Sequence, residues 1–254
     1  MIRLVRAEWT KLFSTRVWLG LFLGACAMVA GFSALITGLA GVTQNGQPGI
    51  PPVGTPEFEK LAFATPSNAV ALMLILGVIG MTQEYRHRTA TPTFLTTPRR
   101  ARVVIAKLIA YALATVPFAL VILAVNVLVV TVYAGARGAA PSLSGDNLRI
   151  LGTAGLALVI YAVIGVGVGA LVRNQVGAIV GSLVYLYVIE GIIGSFRVLS
   201  GVHKWLPGGA LQALTESGQG ADVLSSWQGG LLLLGYGLVA ALLGTLLAVR
   251  RDVA

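Results

Sequence analysis

Few side chains in this sequence are equipped for chemistry, and their spacing limits what they can do. There are two histidines, His87 and His203, and a single cysteine, Cys26. The histidines are far apart and neither stands in an HExxH helix, so the zinc-protease pattern is absent. No GxxxxGK(S/T) run occurs, so the chain has no P-loop of its own for ATP. Cys26 lies in an apolar run, where a free cysteine reads as a small packing residue, and it leaves no second thiol for an internal disulfide. No catalytic, cofactor-binding or metal-ligating residue is assigned. One ionisable group, Glu190, falls inside an apolar stretch of membrane length. Such groups are costly in lipid. Glu190 therefore marks either a transport path or outer gate, together with Trp205 and Pro207 just beyond it, or a structural bend before Gly191 and Gly194.

A second polar concentration is the stretch QEYRHRTATPTFLTTPRRAR, residues 83–102. Thr followed by Pro is an N-cap followed by a favoured first helical residue. Thr91-Pro92 and Thr97-Pro98 therefore predict a very short helix over about 92–97, then a new helix from Pro98 into the next apolar run. A one-turn helix cannot bury Phe94 and Leu95 against its own chain, so this tip is expected to enter a cleft in a partner. Glu84, Arg86, Pro92, Phe94, Leu95, Pro98, Arg99, Arg100 and Arg102 are the candidate contact residues. The plainer reading, a basic loop that only sets membrane topology, accounts for the arginines but not for the paired caps.

The elements that must position these residues are membrane helices. The composition is 56% hydrophobic and 11% charged, and about 20 apolar residues suffice to cross the hydrocarbon core. Six runs qualify: 17–40, 61–82, 108–134, 150–172, 176–194 and 229–249. Backbone groups in lipid must be satisfied within their own segment, so these are helices. The fold class is all-α and polytopic, with residues 1–254 forming one transmembrane domain. Residues 1–16 have Ile2, Val5, Trp9, Leu12 and Phe13 on one face, with Arg3, Arg6 and Lys11 on the rest. That pattern predicts an amphipathic interfacial helix. Pro66 is expected near the start of span 2, and Pro117 predicts a kink in span 3. The segment 195–228 contains RVLSGVHKWLPGGALQAL, too apolar for a solvated loop, and is expected to dip into or rest on the membrane edge.

The net charge of +9 does not imply nucleic acid. With the N-terminus inside, the cytoplasmic segments hold 13 Lys/Arg and the outer ones five. The positive-inside rule then places both termini in the cytoplasm. Arginine outnumbers lysine 14 to 4 and Ala, Gly and Val are abundant, which suggests a GC-rich bacterial gene, so the expected location is a bacterial plasma membrane. Gly20/Gly24, Gly165/Gly169 and Gly177/Gly181 have the GxxxG spacing that lets helices approach closely.

Six spans, a basic amphipathic start, the loop EYRHRTATPTFLTTPRRARVVIAK and the segments YVIEGIIG and KWLPGGALQALT together resemble the ABC-2 type permeases of bacterial exporters. The resemblance implies a coupling helix at about 92–97 and a re-entrant outer hairpin after Glu190. It implies a dimer with a second copy or a related permease, on two separate P-loop ATPase subunits that hold ATP and Mg. It also implies dimer contacts through spans 1 and 5, which favours Gly20, Gly24, Gly177 and Gly181 as packing residues. The reading is the membrane subunit of an ATP-driven exporter. It would move a lipophilic substrate, whether drug, antibiotic, lipid or peptide, out of the cell by alternating access, with lipid around it and no enzymatic activity on this chain. A non-transporting scaffold is the alternative, and a secondary carrier the third.

Overall fold

The computed structural model describes residues 1–43, 49–86, 100–172, 174–215 and 224–250. Among these residues there are helices and no strands, and six helical stretches are long and apolar enough to cross a membrane. The order is α1 (Ile2–Ser14), then α2 (Val17–Leu39), which is span 1. Span 2 joins α3 (Pro56–Ala64), a tighter 3₁₀ stretch (Thr65–Ala69) and α4 (Val70–Arg86). Span 3 is α5 (Arg100–Ala136) and span 4 is α6 (Asp146–Val172). Span 5 joins α7 (Gln175–Leu183), a π-helical stretch (Val184–Ile189) and α8 (Glu190–Ser195). The short helices α9 (Ser200–His203) and α10 (Pro207–Leu214) follow, and α11 (Ser226–Arg250) is span 6.

Local sequence explains several of these limits. Thr55 precedes Pro56, and its hydroxyl accepts from the Phe58 N–H at 3.3 Å. This cap starts span 2 earlier than its apolar run suggests. Pro66 consequently lies inside the span, and the backbone tightens around it over Thr65–Ala69. Helix α5 continues through Pro117. At the end of span 1, the Arg137 guanidinium donates to the carbonyls of Thr37 and, at 3.0 Å, Ala40, two of the orphan acceptors of a helix C-terminus.

Spans 2 and 4 form the buried centre, and spans 1 and 5 are the least covered. Glycine decides the closest contact. A Cβ on Gly77 would meet the Ala162 carbonyl oxygen at 2.1 Å, and one on Gly165 would meet the Leu74 carbonyl oxygen at 2.1 Å. Each helix thus presents its bare backbone to the other, as in small-residue packing in lipid. Asn126, fully buried in span 3, donates to Ser33 of span 1 at 2.8 Å and to the Ala62 carbonyl of span 2 at 3.0 Å. One side chain thereby ties three spans together.

Candidate functional site

Two buried polar centres lie at opposite ends of the bundle. The first is built on α1. Its inward face carries Val5, Glu8 and Leu12, while Ile2 is exposed. The apolar stripe of this helix is therefore interrupted by a carboxylate at its centre. Glu8 is paired with Lys107 of span 3 and, at 2.8 Å, with Lys11. Lys11 also reaches Glu84 of span 2 at 2.7 Å, and Lys107 lies 3.1 Å from Glu84. Lys107 is fully buried, and it donates in addition to the Gly80 carbonyl at 3.2 Å.

Two carboxylates and two ammonium groups thus form a closed quartet with no net charge. Buried ions persist only when paired and hydrogen-bonded. The three buried members, Glu8, Glu84 and Lys107, each have at least two partners, while Lys11, 40% exposed, closes the ring at its edge. Burial pulls the pKa of Lys11 down, but the hydrogen bonds and charges of Glu8 and Glu84 outweigh it. The net direction is upward, so Lys11 stays charged at neutral pH. Aromatic contacts reinforce the docking of α1. The Trp9 indole donates to the Ala110 carbonyl at 2.9 Å, Phe13 packs edge-on against Trp18, and Trp18 stacks on Phe118.

This arrangement places the residues of the contact loop unevenly. Pro92, Phe94, Leu95, Pro98 and Arg99, with the short helix expected at 92–97, lie outside the described residues. Arg100 opens α5, and Arg102 is exposed one turn before the quartet. Arg86 is exposed and donates to Gln175 at 3.3 Å, so the ends of spans 2 and 5 meet on this side. Glu84 is buried among the lysines at the root of the loop, not displayed on its rim. Arg3 and Arg6 are exposed on the outer side of α1.

The second centre surrounds Glu190, about 22 Å along span 5 from Gln175 at 1.5 Å per residue. The π-helical stretch Val184–Ile189 immediately precedes it. A π-bulge shifts the register of whatever follows, and such bulges are frequent at functional sites. Tyr187, Val188, Ile189 and Ile192 are exposed, yet Glu190 among them is buried. Its carboxylate lies against the backbone at the start of α10, where a Cβ on Gly208 would sit 1.8 Å from Oε2. The Gly208 amide and the Tyr185 hydroxyl are close enough to be felt by it. Neither carboxylate oxygen, however, makes a hydrogen bond of ordinary geometry.

Tyrosines hold the segment that covers Glu190. Tyr161 of span 4 donates to the Pro207 carbonyl at 3.1 Å, and Tyr236 of span 6 donates to the Trp205 carbonyl at 2.7 Å. The structure thus brings Glu190 and the Pro207 backbone together, while the Trp205 ring is half exposed. Ala210 and Leu214 of α10 enter the main core. Beneath this cap, between spans 4, 5 and 6, is a cavity of about 390 Å³ bordered by Tyr161, Tyr185, Pro207 and Tyr236. A second, of about 240 Å³, is bordered by Gly208 and shares Tyr161 and Leu186 with the first.

The candidate packing glycines divide by location. Gly165 and Gly169 are used up against span 2. Around Gly20 and Gly181 a Cβ would meet nothing within 4 Å, and Gly24 and Gly177 meet only side-chain atoms at 3.5 Å or more. These four lie on the two least covered spans.

The family model described as "ABC-2 family transporter protein" matches residues 4–189, from the first turn of α1 through the π-helical stretch of span 5. The chain belongs to the ABC-2 transporter family. A comparison with curated proteins gave no match. ABC-2 proteins are the membrane subunits of ABC transporters and work with ATPase subunits, so this chain is a multi-pass membrane subunit of that kind. The ABC-2 match contains the whole quartet and stops one residue short of Glu190. Sequence reasoning missed Glu8 and Lys107 as a pair. The available signal was a lone acid inside a basic helix, with an acid and a lysine at the two roots of one loop. The π-bulge had no sequence signal beyond the run of β-branched and aromatic residues.

Proposed function

We propose that this chain is the permease of an ATP-driven exporter of the bacterial plasma membrane, with both termini in the cytoplasm. Two copies, or one copy and a related permease, sit on two ATPase subunits that bind ATP and Mg. The loop between spans 2 and 3 meets the ATPase. Phe94 and Leu95 enter its groove, and Arg86, Arg99, Arg100 and Arg102 supply charge around it. Spans 1 and 5 pack the protomers through Gly20, Gly24, Gly177 and Gly181. Hydrolysis alternately exposes a path for a lipophilic substrate, with Glu190, Trp205 and Pro207 at its outer end.

The observation that supports this reading best is the buried quartet. Glu84 and Lys107 stand at the two roots of the loop, and their joint attachment to α1 makes both roots and α1 one unit. A force applied to the loop is then delivered to spans 2 and 3 and, through α1, to span 1. A loop that only set topology would have no use for such an anchorage. Interface energy concentrates in a few buried anchors, each costing about 2 kcal/mol or more when truncated. Phe94→Ala with Leu95→Ala is therefore expected to release the ATPase or uncouple hydrolysis from export, while the permease still inserts. Co-purification of the two subunits and substrate-dependent ATP hydrolysis in liposomes measure this. Normal assembly and transport by the double variant would reduce the loop to a topology signal.

A further inference from the structure

The cavity of about 240 Å³ is polar where the bundle around it is apolar. It lies between the 3₁₀ stretch of span 2, spans 4 and 5, and α10. Five of the nine residues bordering it carry a hydroxyl or an amide: Ser67, Asn68, Tyr161, Tyr187 and Gln212. Among the described residues no charged side chain borders it, and Glu190 touches Gly208 without itself lining the cavity. At 1.5 Å per residue, Tyr161 is about 17 Å from the Val172 end of span 4, and Tyr187 is about 18 Å from the Gln175 end of span 5. The cavity is therefore near the middle of a hydrocarbon core about 30 Å thick, where polar groups are costly. Ser67 and Asn68 have a local use in the tightened backbone around Pro66. The Ser67 hydroxyl donates to the Ala64 carbonyl at 2.7 Å, and the Asn68 amide donates to the Thr65 carbonyl at 3.0 Å. Asn68 still keeps its own carbonyl and one N–H. Gln212 and Tyr187 have no such use, and among the described residues neither side chain makes a hydrogen bond.

We propose that this cavity receives an uncharged secondary amide of the transported molecule, which makes the substrate class a neutral lipophilic peptide. The inference rests on the exporter reading for its consequence, because it names the substrate class, but it rests on this cavity for its chemistry. A secondary amide carries one donor and one acceptor, and inside a membrane both must find partners. Asn68 and Gln212 each offer a donor and an acceptor, and the Tyr187 hydroxyl adds a further donor. A charged group would be stranded, because no opposite charge lines the wall. A hydrocarbon chain would leave the Asn68 and Gln212 amides shut away without partners, which costs more than any contact it gains. The size agrees with a polar unit and not with a whole ligand. Drug-sized sites run to roughly 300–1,000 Å³, so a cavity of about 240 Å³ takes the peptide unit and leaves the apolar side chains in the membrane.

The test uses the full chain in phosphatidylcholine nanodiscs and the radiolabelled probe N-decanoyl-leucyl-leucine amide, with empty discs as the background for partition. Saturable binding is expected. Gln212→Met, which keeps the length and loses the amide, should weaken it about tenfold, and Asn68→Leu should do the same. The analogue with an ester oxygen in place of the central N–H should also bind about tenfold more weakly, because it has lost the donor. The free carboxylate form of the probe should not compete. Unchanged thermal unfolding shows that a variant is folded; should Asn68→Leu unfold, Gln212→Met decides alone, since that side chain makes no hydrogen bond within the described residues. Absence of saturable binding, equal affinity for the ester, competition by the carboxylate, or unchanged affinity in Gln212→Met would each overturn the proposal. So would displacement by monodecanoylglycerol as effective as that by unlabelled peptide, which would assign the cavity to hydroxyl groups. The assay contains no ATPase. Failure to co-purify with an ATPase would sink the exporter reading alone, and failure here would leave that reading standing.

Discussion

Glu8 and Lys107 form a buried ion pair across 99 positions of sequence, joining a helix at the start of the chain to the first turns of span 3. This pair explains how a short helix with an acid on its apolar face can pack that face against the bundle. Removing one partner of such a pair leaves an uncompensated charge and typically costs about 3–5 kcal/mol. Lys107→Met is therefore expected to lower thermal stability markedly. Glu8→Gln with Lys107→Met removes one charge of each sign and leaves Lys11 with Glu84, so the double variant should recover much of the loss. Thermal unfolding of the detergent-solubilised protein reads both. Two additive losses would mean that the pair is not coupled.

The close approach of spans 2 and 4 at Gly77 and at Gly165 gives a sharper packing test. A methyl group at either position collides with backbone, which cannot swing aside as a side chain can. Overpacking of this kind costs about 1–3 kcal/mol or more. Gly165→Ala is expected to destabilise the folded protomer, while Gly20→Ala and Gly181→Ala should leave it unchanged because a Cβ there meets nothing. If spans 1 and 5 join two protomers, the last two variants should instead weaken dimerisation, measured by crosslinking in membranes.

How much of this was legible beforehand follows from what each signal measures. Hydropathy reads length and apolarity, so all six spans could be recognised from runs such as 17–40. It says nothing of which helix lies at the centre. Spans 2 and 4 pack closely because Gly77 lies against Ala162 and Val166 while Gly165 lies against Leu74, and that match is invisible until the helices are paired. Glu190 stood out because an acid in an apolar run is rare. Its burial follows directly on the π-helical stretch Val184–Ile189, which no local pattern announces. The quartet was hidden for another reason. Glu8, Lys11, Glu84 and Lys107 each read singly as ordinary flanking charges, and only the fold brings them within contact.

Topology is checked independently of the fold. In a Cys26→Ser background, cysteines at Gln47 and Gln219 are expected to react with an impermeant thiol reagent in intact cells. One at Thr96 should react only after lysis, because the segment 83–107 holds six of the Lys/Arg residues, which the positive-inside rule keeps on the cytoplasmic side. Reaction of Thr96→Cys from outside would reverse the orientation and with it the place of the ATPase.

The contact between Glu190 and Gly208 can be tested by suppression. A Cβ at 208 would lie 1.8 Å from Oε2, so Gly208→Ala must push the carboxylate away, lift the start of α10, or both. Lifting α10 would strain the Tyr161 bond to Pro207, which immediately precedes Gly208. The expected result is a loss of thermal stability together with easier proteolysis between spans 5 and 6. If the collision with the carboxylate is the cause, shortening the side chain removes it. Gly208→Ala with Glu190→Ser should then be more stable than Gly208→Ala alone, even though Glu190→Ser by itself leaves a small void. Glu190→Gln, of nearly the same size, should give no such relief. That contrast separates steric overlap from loss of charge. Equal behaviour of the Ser and Gln double variants would show that overlap with the Glu190 carboxylate is not what destabilises Gly208→Ala.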